Sequence, residues 1–390
     1  MSDETCKLVI VSHDFVILID LFVHYIFVGG KKMTKISAHS GLGELPNKLD
    51  ELWIEIGGSC HLKCTYCFAE SGGIDNDERN IPIKDILAYL GEFKELGGSR
   101  IAVVGAGEPF HARNIADLFE VIDHNTDNNI ATTIFTTGDL LTDTIIDMLD
   151  AHQNLTLLVK YNTSDPEIQD KLVQNQGYTN RRQQALERLM ERGYNDGKRL
   201  GIVTPVMEGN YDEISDILRF ARNNNLIFDA DTIIPRGRGG TCGLNPEDQK
   251  IKQVLTDLQR IDKEEFGNQW EITSSYVGSP PCTRFNQHLY IDKLGLVHPC
   301  VSSADVLLGD AREQSLGEIW NSRLALIIRD HIYVGKCTTC KNFNEESELN
   351  KGMKKCYSCL GRSTTDLTTE SLERDGCVKT VGCFNYASMK

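Results

Sequence analysis

Three cysteines, Cys60, Cys64 and Cys67, lie within one short run of the chain. Three thiols so close together cannot all pair as disulfides, but three thiolates can bind three irons of one cubane [4Fe-4S] cluster. The fourth iron then has no protein ligand and is open to a small molecule. The spacing therefore predicts a catalytic iron–sulfur centre. The alternatives are three unrelated buried cysteines or a structural metal site, although zinc usually takes four ligands from two separated pairs.

The same run, with Tyr66 directly before the last cysteine, resembles the signature of the radical S-adenosylmethionine (radical SAM) enzymes. The resemblance implies that the open iron chelates the amino and carboxylate groups of S-adenosyl-L-methionine (SAM). Reductive cleavage then gives methionine and a 5′-deoxyadenosyl radical, which takes a hydrogen atom from an unactivated C–H bond of the substrate. An external one-electron reductant of the flavodoxin or ferredoxin type is implied as a partner.

Turns that follow the predicted strands carry further features of this family. Residues 105–109 (Gly-Ala-Gly-Glu-Pro) resemble its Gly-Gly-Glu-Pro motif, whose backbone receives the SAM amino group, with Ala106 in place of the first glycine. Residues 136–138 (Thr-Thr-Gly) resemble its Thr-Asn-Gly turn near the SAM ribose, without the asparagine. A plain tight turn is the alternative.

Two later strand ends carry polar side chains. Lys160 and Asn162 follow the predicted fourth strand, where relatives often place a residue that contacts the ribose. Arg236 or Arg238, after the predicted sixth strand, could pair with a carboxylate of SAM or substrate. A solvated strand end or a plain turn is the alternative. The residues predicted to bind SAM are Tyr66, Gly105, Ala106, Gly107, Glu108, Thr136, Thr137, Lys160, Asn162 and Arg236.

Eight of the thirteen cysteines follow residue 280. The order Cys282, Gly295, Cys300, the pair Cys337 and Cys340, and the stretch 315–320 resemble the SPASM domain, the auxiliary-cluster extension of many radical SAM maturases. The chain departs from that pattern where a polar, charged insertion delays Cys356. The predicted auxiliary metal ligands are Cys282, Cys300, Cys337, Cys340, Cys356, Cys359, Cys377 and Cys383.

These eight cysteines leave the number of metal centres open. Eight thiolates can saturate two [4Fe-4S] clusters, and seven would leave one iron open to substrate. One cluster is also possible, and the pairs Cys337/Cys340 and Cys356/Cys359 have the spacing of a four-cysteine zinc site. Cys242 could be an extra ligand, a hydrogen-atom donor or a buried thiol.

Strand and helix patterns alternate between residues 52 and 234 and predict an α/β fold. We expect a partial (β/α)6 TIM-type barrel, followed by a small, cysteine-rich, irregular auxiliary iron–sulfur domain. The predicted domains are 1–48 as an N-terminal extension, 49–270 as the barrel and 271–390 as the SPASM-like domain. The predicted strands are 52–56, 101–104, 132–135, 155–159, 202–206 and 232–234, and the predicted helices are 83–96, 115–122, 143–149, 181–192 and 212–223.

The N-terminal stretch 8–28 is apolar but is interrupted by Asp14 and Asp20, so a membrane span is not predicted. Codons for the residues directly before Met33 could form a ribosome-binding site. The hypothesis is that Met33 is the natural start and that residues 1–32 are translated leader, disordered or loosely attached.

The bulk composition narrows the class of protein. A net charge of −15 argues against a nucleic-acid partner, and no secretory signal is apparent. Thirteen cysteines without such a signal point to metal binding or catalysis in the cytoplasm.

The predicted function is a radical SAM oxidoreductase or maturase that modifies a peptide or protein by crosslinking, epimerisation or oxidation. The alternative is a radical SAM dehydrogenase or epimerase that acts on a sugar or aminocyclitol. The non-enzymatic alternative is a zinc or iron–sulfur scaffold or an electron carrier.

Overall fold

The computed structural model describes residues 48–234, 236–246, 248–270, 284–303 and 306–329, together with four backbone strands nearer the N-terminus. The chain divides into two compact units, Met1–Leu45 and Pro46–Lys390. Within the described part of the chain, no helix is long and apolar enough to cross a membrane.

The first unit contains a four-stranded antiparallel sheet in the order β1-β2-β3-β4. Its strands are β1 Leu8–Ser12, β2 Phe15–Asp20, β3 Val23–Val28 and β4 Lys31–Lys32. These strands pair with one another, and the expectation that residues 1–32 are disordered or loosely attached stays a prediction. Their Val, Ile and Phe residues favour extended backbone. Whether residues 1–32 belong to the natural product stays a prediction.

The second unit is built on a nine-stranded sheet in the order β10-β9-β8-β7-β6-β5-β11-β12-β13. The six strands from β5 to β10 are mutually parallel, as a partial (β/α)6 barrel requires. The strands of this sheet are β5 Glu51–Ile54, β6 Arg100–Val103, β7 Ala131–Thr136, β8 Leu155–Lys160, β9 Leu200–Val206, β10 Ile227–Thr232, β11 His288–Ile291, β12 Leu296–His298 and β13 Gly309–Asp310.

Helices such as α1 and α6 pack on this sheet through an apolar side. On α1, Ile86, Leu90 and Phe93 recur at helical spacing and are buried. The helices are α1 Ile83–Glu95, α2 Ile115–Asp127, α3 Asp143–Leu149, α4 Pro166–Val173, α5 Tyr178–Glu191, α6 Ile214–Asn223, α7 Gly237–Thr241, α8 Asp248–Phe266, α9 Leu316–Trp320 and α10 Arg323–Arg329. Two short 3₁₀ helices, Arg284–Asn286 and Val301–Ser303, accompany them.

The predicted partial barrel is confirmed, with one strand misplaced. The first five predicted strands agree with β5 to β9 to within two residues. The sixth was expected at 232–234, but β10 is Ile227–Thr232. Asp229 and Asp231 interrupt the apolar run in β10, so the sequence there does not look like a buried strand. Helices α4, α7, α8 and α10 were not predicted.

The segment after residue 283 continues the barrel sheet. Strand β11 pairs in parallel with β5, with His288 opposite Glu51 and Ile291 opposite Ile54, and β12 and β13 extend the sheet in antiparallel fashion. Helix α9 begins at Leu316 and is capped by Ser315, whose hydroxyl forms a capping box with Glu318. The boundary predicted at residue 270 stays a prediction, because residues 271–283 lie outside the described part.

Candidate active site

The loop that carries the three cysteines follows β5 at the carboxyl end of the parallel strands. Cys60 and Gly73 exchange two backbone hydrogen bonds, which close the loop on itself. Helix α4 supports the loop from below, because the carbonyls of Leu172 and Val173 at its end accept from the N–H groups of Thr65 and Lys63. These otherwise orphaned helix carbonyls thus fix the loop backbone.

Cys60, Cys64 and Cys67 line one cavity of about 310 Å³, and none is in a disulfide. Burial raises the pKa of the Cys60 thiol to about 12 and that of Cys64 to about 11. Without a metal these two thiols therefore stay protonated at neutral pH, and iron must displace their protons when it binds.

The loop fits the cluster that the sequence predicts. Three free thiols on one loop share one cavity, which is what three ligands of a cubane require. Among the described residues, no three His, Cys, Asp or Glu side chains converge closely enough to hold a single metal ion. The fit to a multi-iron cluster rests on the shared cavity.

The glycine turn after β6 lies against the cysteine loop. Gly107 has a φ of +84°, and a Cβ atom there would lie 2.6 Å from the carbonyl oxygen of Gly57. Only glycine therefore allows this approach of the two backbones. The N–H of Gly107 donates to the Ser71 hydroxyl at 2.8 Å, and that of Glu108 donates to the Ser59 carbonyl at 2.9 Å. We call Cys60, Cys64, Cys67 and the turn 105–108 the thiol wall.

Glu108 joins this turn to the next one along the sheet. Its carboxylate accepts hydrogen bonds from the Thr136 hydroxyl at 2.6 Å, the Thr137 N–H at 2.7 Å and the Phe110 N–H at 3.1 Å. Burial raises the pKa of Glu108, although these three hydrogen bonds act to lower it. Glu108 and Thr136 thus hold the turns in place, and both line the cavity together with Thr137.

The Asp139 carboxylate, which follows β7, holds the cysteine loop through His61. Nε2 of His61 lies 2.9 Å from Asp139, which also accepts from the Thr137 hydroxyl at 2.8 Å and from Arg181 at 3.1 Å. The Asp139 side chain is fully buried. Despite that burial, these hydrogen bonds and the charge on His61 lower its pKa. Asp139 therefore stays charged and fixes His61.

Another part of the cavity lining is charged. We call Lys160, Asp229 and Asp231 the charged wall, because all three line the cavity from β8 and β10. Asp229 and Asp231 are two residues apart on one strand, so they share a face of the sheet. Burial and the neighbouring Asp231 raise the pKa of Asp229 to about 6, although Arg284 and Lys160 oppose this. Burial lowers the pKa of Lys160.

Aromatic side chains and one auxiliary cysteine complete the cavity. Trp53, Phe135 and Phe285 line it, and the guanidinium of Arg284 lies 4.7 Å from the Trp53 ring centroid. Cys300 is buried and lines the same cavity. The other seven cysteines predicted as auxiliary ligands lie outside the described residues.

Five further candidates from the sequence differ in where they lie relative to the cavity. Tyr66 lines the cavity, and its hydroxyl accepts a hydrogen bond from Nδ2 of the buried Asn162 at 2.7 Å. Asn162, Ala106 and Arg236 are not among the described residues that line the cavity. Cys242 also lies off the cavity, and its thiol donates to the Gly239 carbonyl at 3.4 Å. The SAM contacts stay predictions.

Sequence reasoning missed several residues of this site. Asp229 and Asp231 were overlooked because their strand was placed too late. Ser71 and Asp139 are distant in sequence from Gly107 and His61, which they contact. Polar residues at alternate positions of a barrel strand were the available signal for the two aspartates.

Known proteins resemble this chain over most of its length. An AdoMet-dependent heme synthase of Methanosarcina barkeri is 24% identical over 74% of this chain and 87% of its own length. The sporulation killing factor maturation protein SkfB of Bacillus subtilis is 22% identical over 73% of this chain and 68% of its own.

Solved structures share the fold. Streptococcus suis SuiB bound to S-adenosylmethionine superimposes with a TM-score of 0.61 at 19% identity, over 76% of this chain and 72% of that one. AnSMEcpe with bound AdoMet gives a TM-score of 0.56 at 17% identity, over 86% of this chain and 94% of that one.

Two family models match the chain in the predicted order. Residues 54–221 match the radical SAM superfamily, and residues 282–341 match the SPASM iron–sulfur cluster-binding domain. The second match contains Cys282, Cys300, Cys337 and Cys340, and it ends before the insertion that precedes Cys356. These domains imply [4Fe-4S] clusters and SAM as cofactors. The chain therefore belongs to the radical SAM superfamily and carries a C-terminal SPASM domain.

Proposed function

We propose that this chain is a radical SAM maturase that modifies a peptide or protein by crosslinking, epimerisation or oxidation. The observation that carries the proposal is the thiol wall, where three free cysteines and the glycine turn share one cavity at the carboxyl ends of the barrel strands. The site would be that of an oxidoreductase rather than of an electron carrier, because this cavity leaves room for a substrate beside the thiols.

Cys60, Cys64 and Cys67 would hold the cluster, and the turn 105–108 with Thr137 would receive SAM. When both are bound, the cluster and SAM would supply a 5′-deoxyadenosyl radical that abstracts a hydrogen atom. The protein's own part is to orient the reactants and exclude water. Glu108 fixes two turns, Trp53 and Phe285 give the cavity an apolar surface, and the charged wall faces the substrate.

A peptide substrate is supported by what is known of similar proteins. SuiB has been seen bound to the precursor peptide SuiA, and anSMEcpe has been seen bound to a peptide. SkfB is a maturation protein of the sporulation killing factor. A small-molecule substrate is the second candidate, because the heme synthase of Methanosarcina barkeri is similar over most of this chain.

The proposal includes a cytoplasmic location and a one-electron donor of the flavodoxin or ferredoxin type. Free thiols at Cys60, Cys64 and Cys67 support a reducing compartment.

The first test measures SAM cleavage. The protein is reconstituted with iron and sulfide without oxygen, reduced with dithionite and given SAM, and 5′-deoxyadenosine is measured by mass spectrometry. The wild type should form it, and the Cys60/Cys64/Cys67→Ala variant should not. A wild type that binds iron but never cleaves SAM would contradict the proposal and favour an electron carrier.

The second test addresses the substrate. The short peptides encoded beside this gene are synthesised with deuterium on carbon and incubated with the active enzyme. Deuterium should appear in 5′-deoxyadenosine, and the peptide should lose hydrogen or change configuration. Deuterium transfer from a sugar or tetrapyrrole whose biosynthetic genes lie beside this one, and from no peptide, would contradict a peptide substrate and favour a small-molecule substrate.

A further inference from the structure

Arg238, on α7, uses its guanidinium group to bind three backbone carbonyls of the cysteine loop. Nε donates to the Cys64 carbonyl at 2.8 Å, Nη1 to the Glu70 carbonyl at 2.9 Å, and Nη2 to the Ser71 carbonyl. The sequence suggested that Arg236 or Arg238 meets a carboxylate of SAM or substrate. In the structure the loop carbonyls accept from all three nitrogens of the planar Arg238 fork. A contact of Arg238 with a carboxylate stays a prediction.

The glycines on either side of Arg238 allow α7 to lie directly on the loop. A Cβ atom at Gly239 would lie 2.9 Å from the Tyr66 carbonyl oxygen, and one at Gly237 would overlap the Phe68 carbonyl oxygen. Gly237 also has a φ of +50°, which disfavours other residues. The segment 237–239 therefore packs backbone to backbone against residues 66–71.

This contact joins two parts of the sheet that strand pairing keeps apart. Helix α7 follows β10, which is an edge strand, whereas the cysteine loop follows β5. Four strands separate β10 from β5 in the sheet order, so no ladder hydrogen bond links them directly. Arg238 therefore links the carboxyl ends of two strands that do not pair with each other.

The same contact reaches the glycine turn through Ser71. The Ser71 carbonyl accepts from Arg238, and the Ser71 hydroxyl accepts from the N–H of Gly107 at 2.8 Å. Loss of the Arg238 side chain would therefore free the backbone at both Cys64 and Ser71, and through Ser71 it would loosen the turn 105–108. Charge-assisted hydrogen bonds to carbonyls are strong enough to hold such a loop.

We propose that Arg238 is a positioning residue that fixes Cys64 and the glycine turn relative to each other by tying the cysteine loop to the segment that follows β10. It contacts the loop backbone and has no part in the chemistry. The inference rests on the proposed function only for what the loop binds, since the contacts themselves belong to the protein alone.

The first test does not require SAM chemistry. Amide hydrogen exchange is measured on residues 60–73 in wild type, Arg238→Ala and Arg238→Lys, with Arg260→Ala on the exposed face of α8 as the matched control. Exchange in this loop should rise about tenfold or more in Arg238→Ala, the equivalent of one lost charge-assisted hydrogen bond, and less in Arg238→Lys. Unchanged exchange in Arg238→Ala would overturn the proposal.

The second test uses the reconstituted holoenzyme. In Arg238→Ala the KM for SAM should rise more than kcat falls, and the change that SAM causes in the electron paramagnetic resonance spectrum of the reduced cluster should be smaller. Added guanidinium chloride at millimolar concentration should restore part of both in Arg238→Ala and nothing in Arg260→Ala. If Arg238→Ala does not fold, Arg238→Lys carries the same readouts, and a lysine variant identical to wild type in exchange and KM would contradict the proposal.

These readouts separate the two proposals. If the wild type exchanges as expected but never cleaves SAM, the proposed function fails and the role of Arg238 in the loop stands. If SAM is cleaved and Arg238→Ala behaves as the wild type does, the role of Arg238 fails alone.

Discussion

The thiol wall and the charged wall line one cavity but are built in different ways. In the thiol wall, backbone groups and side chains such as Glu108 and Ser71 are already committed to hydrogen bonds within the protein. In the charged wall, Lys160 and Asp229 bring buried charge to the cavity, and their pKa values are shifted towards neutrality by burial. The first wall suits a cofactor that is always the same, and the second suits recognition of a particular substrate.

Gly107→Ala should have the largest effect because it breaks the thiol wall at the backbone. The new Cβ would meet the Gly57 carbonyl, and the residue would keep a positive φ. We expect SAM cleavage to fall at least about a hundredfold, with a stability loss of about 2–4 kcal/mol.

Gly193→Ala is the matched control, since Gly193 has a φ of +76° but no atom within 4 Å of a new Cβ. It should cost only about 1 kcal/mol in thermal unfolding and leave SAM cleavage unchanged. Equal losses in the two variants would mean that the close approach at Gly107 has no special role.

Glu108→Gln should weaken SAM binding, because an amide presents a donor where the Thr137 N–H or the Thr136 hydroxyl needs an acceptor. Calorimetric titration should show affinity lower by about 10–100-fold, as expected for a buried charged acceptor. Unchanged affinity would show that the turns 105–109 and 136–138 hold their positions without this carboxylate.

Asp229→Asn should distinguish the functions of the two walls. We expect SAM cleavage to persist while modification of the substrate falls about tenfold or more, which mass spectrometry can follow in one reaction. A parallel loss of both would mean that the charged wall serves SAM as well.

The same variant should alter the pH dependence of stability. The pKa of Asp229 is about 6 in the folded protein against 3.8 as its ordinary value, so the folded state holds this proton longer. Stability from this group is therefore present at low pH and is lost as the pH rises from about 4 to about 6. Asp229→Asn should raise the free energy of unfolding by about 1–3 kcal/mol at pH 8 and have little effect at pH 4. Denaturant titrations at the two pH values check this.

Tyr66→Phe should have the smallest effect. It removes the acceptor of the Asn162 amide and should cost about 1–2 kcal/mol of stability, with SAM affinity changed by less than about tenfold. A loss of SAM affinity as large as in Glu108→Gln would place the Tyr66 hydroxyl in direct contact with SAM.

The sequence predicted the thiol wall far better than the charged wall, for physical reasons. Cys60, Cys64 and Cys67 are neighbours in the chain, and the glycine turn lies directly after a strongly apolar strand, so local spacing was enough. Asp229 and Asp231 lie inside a strand, and charged residues in a segment usually count against predicting a strand there. The positions of Arg238 and Asp139 depend on long-range contacts, to Cys64 and to His61, that no local pattern reveals.

The loop after β5 is central to the proposed function because it would hold one four-iron cluster. The direct measurement is iron and sulfide per chain after anaerobic reconstitution, in wild type and in the Cys60/Cys64/Cys67→Ala variant. We expect a loss of about four irons per chain in the variant, with the auxiliary iron retained. Equal iron in the two proteins would contradict it.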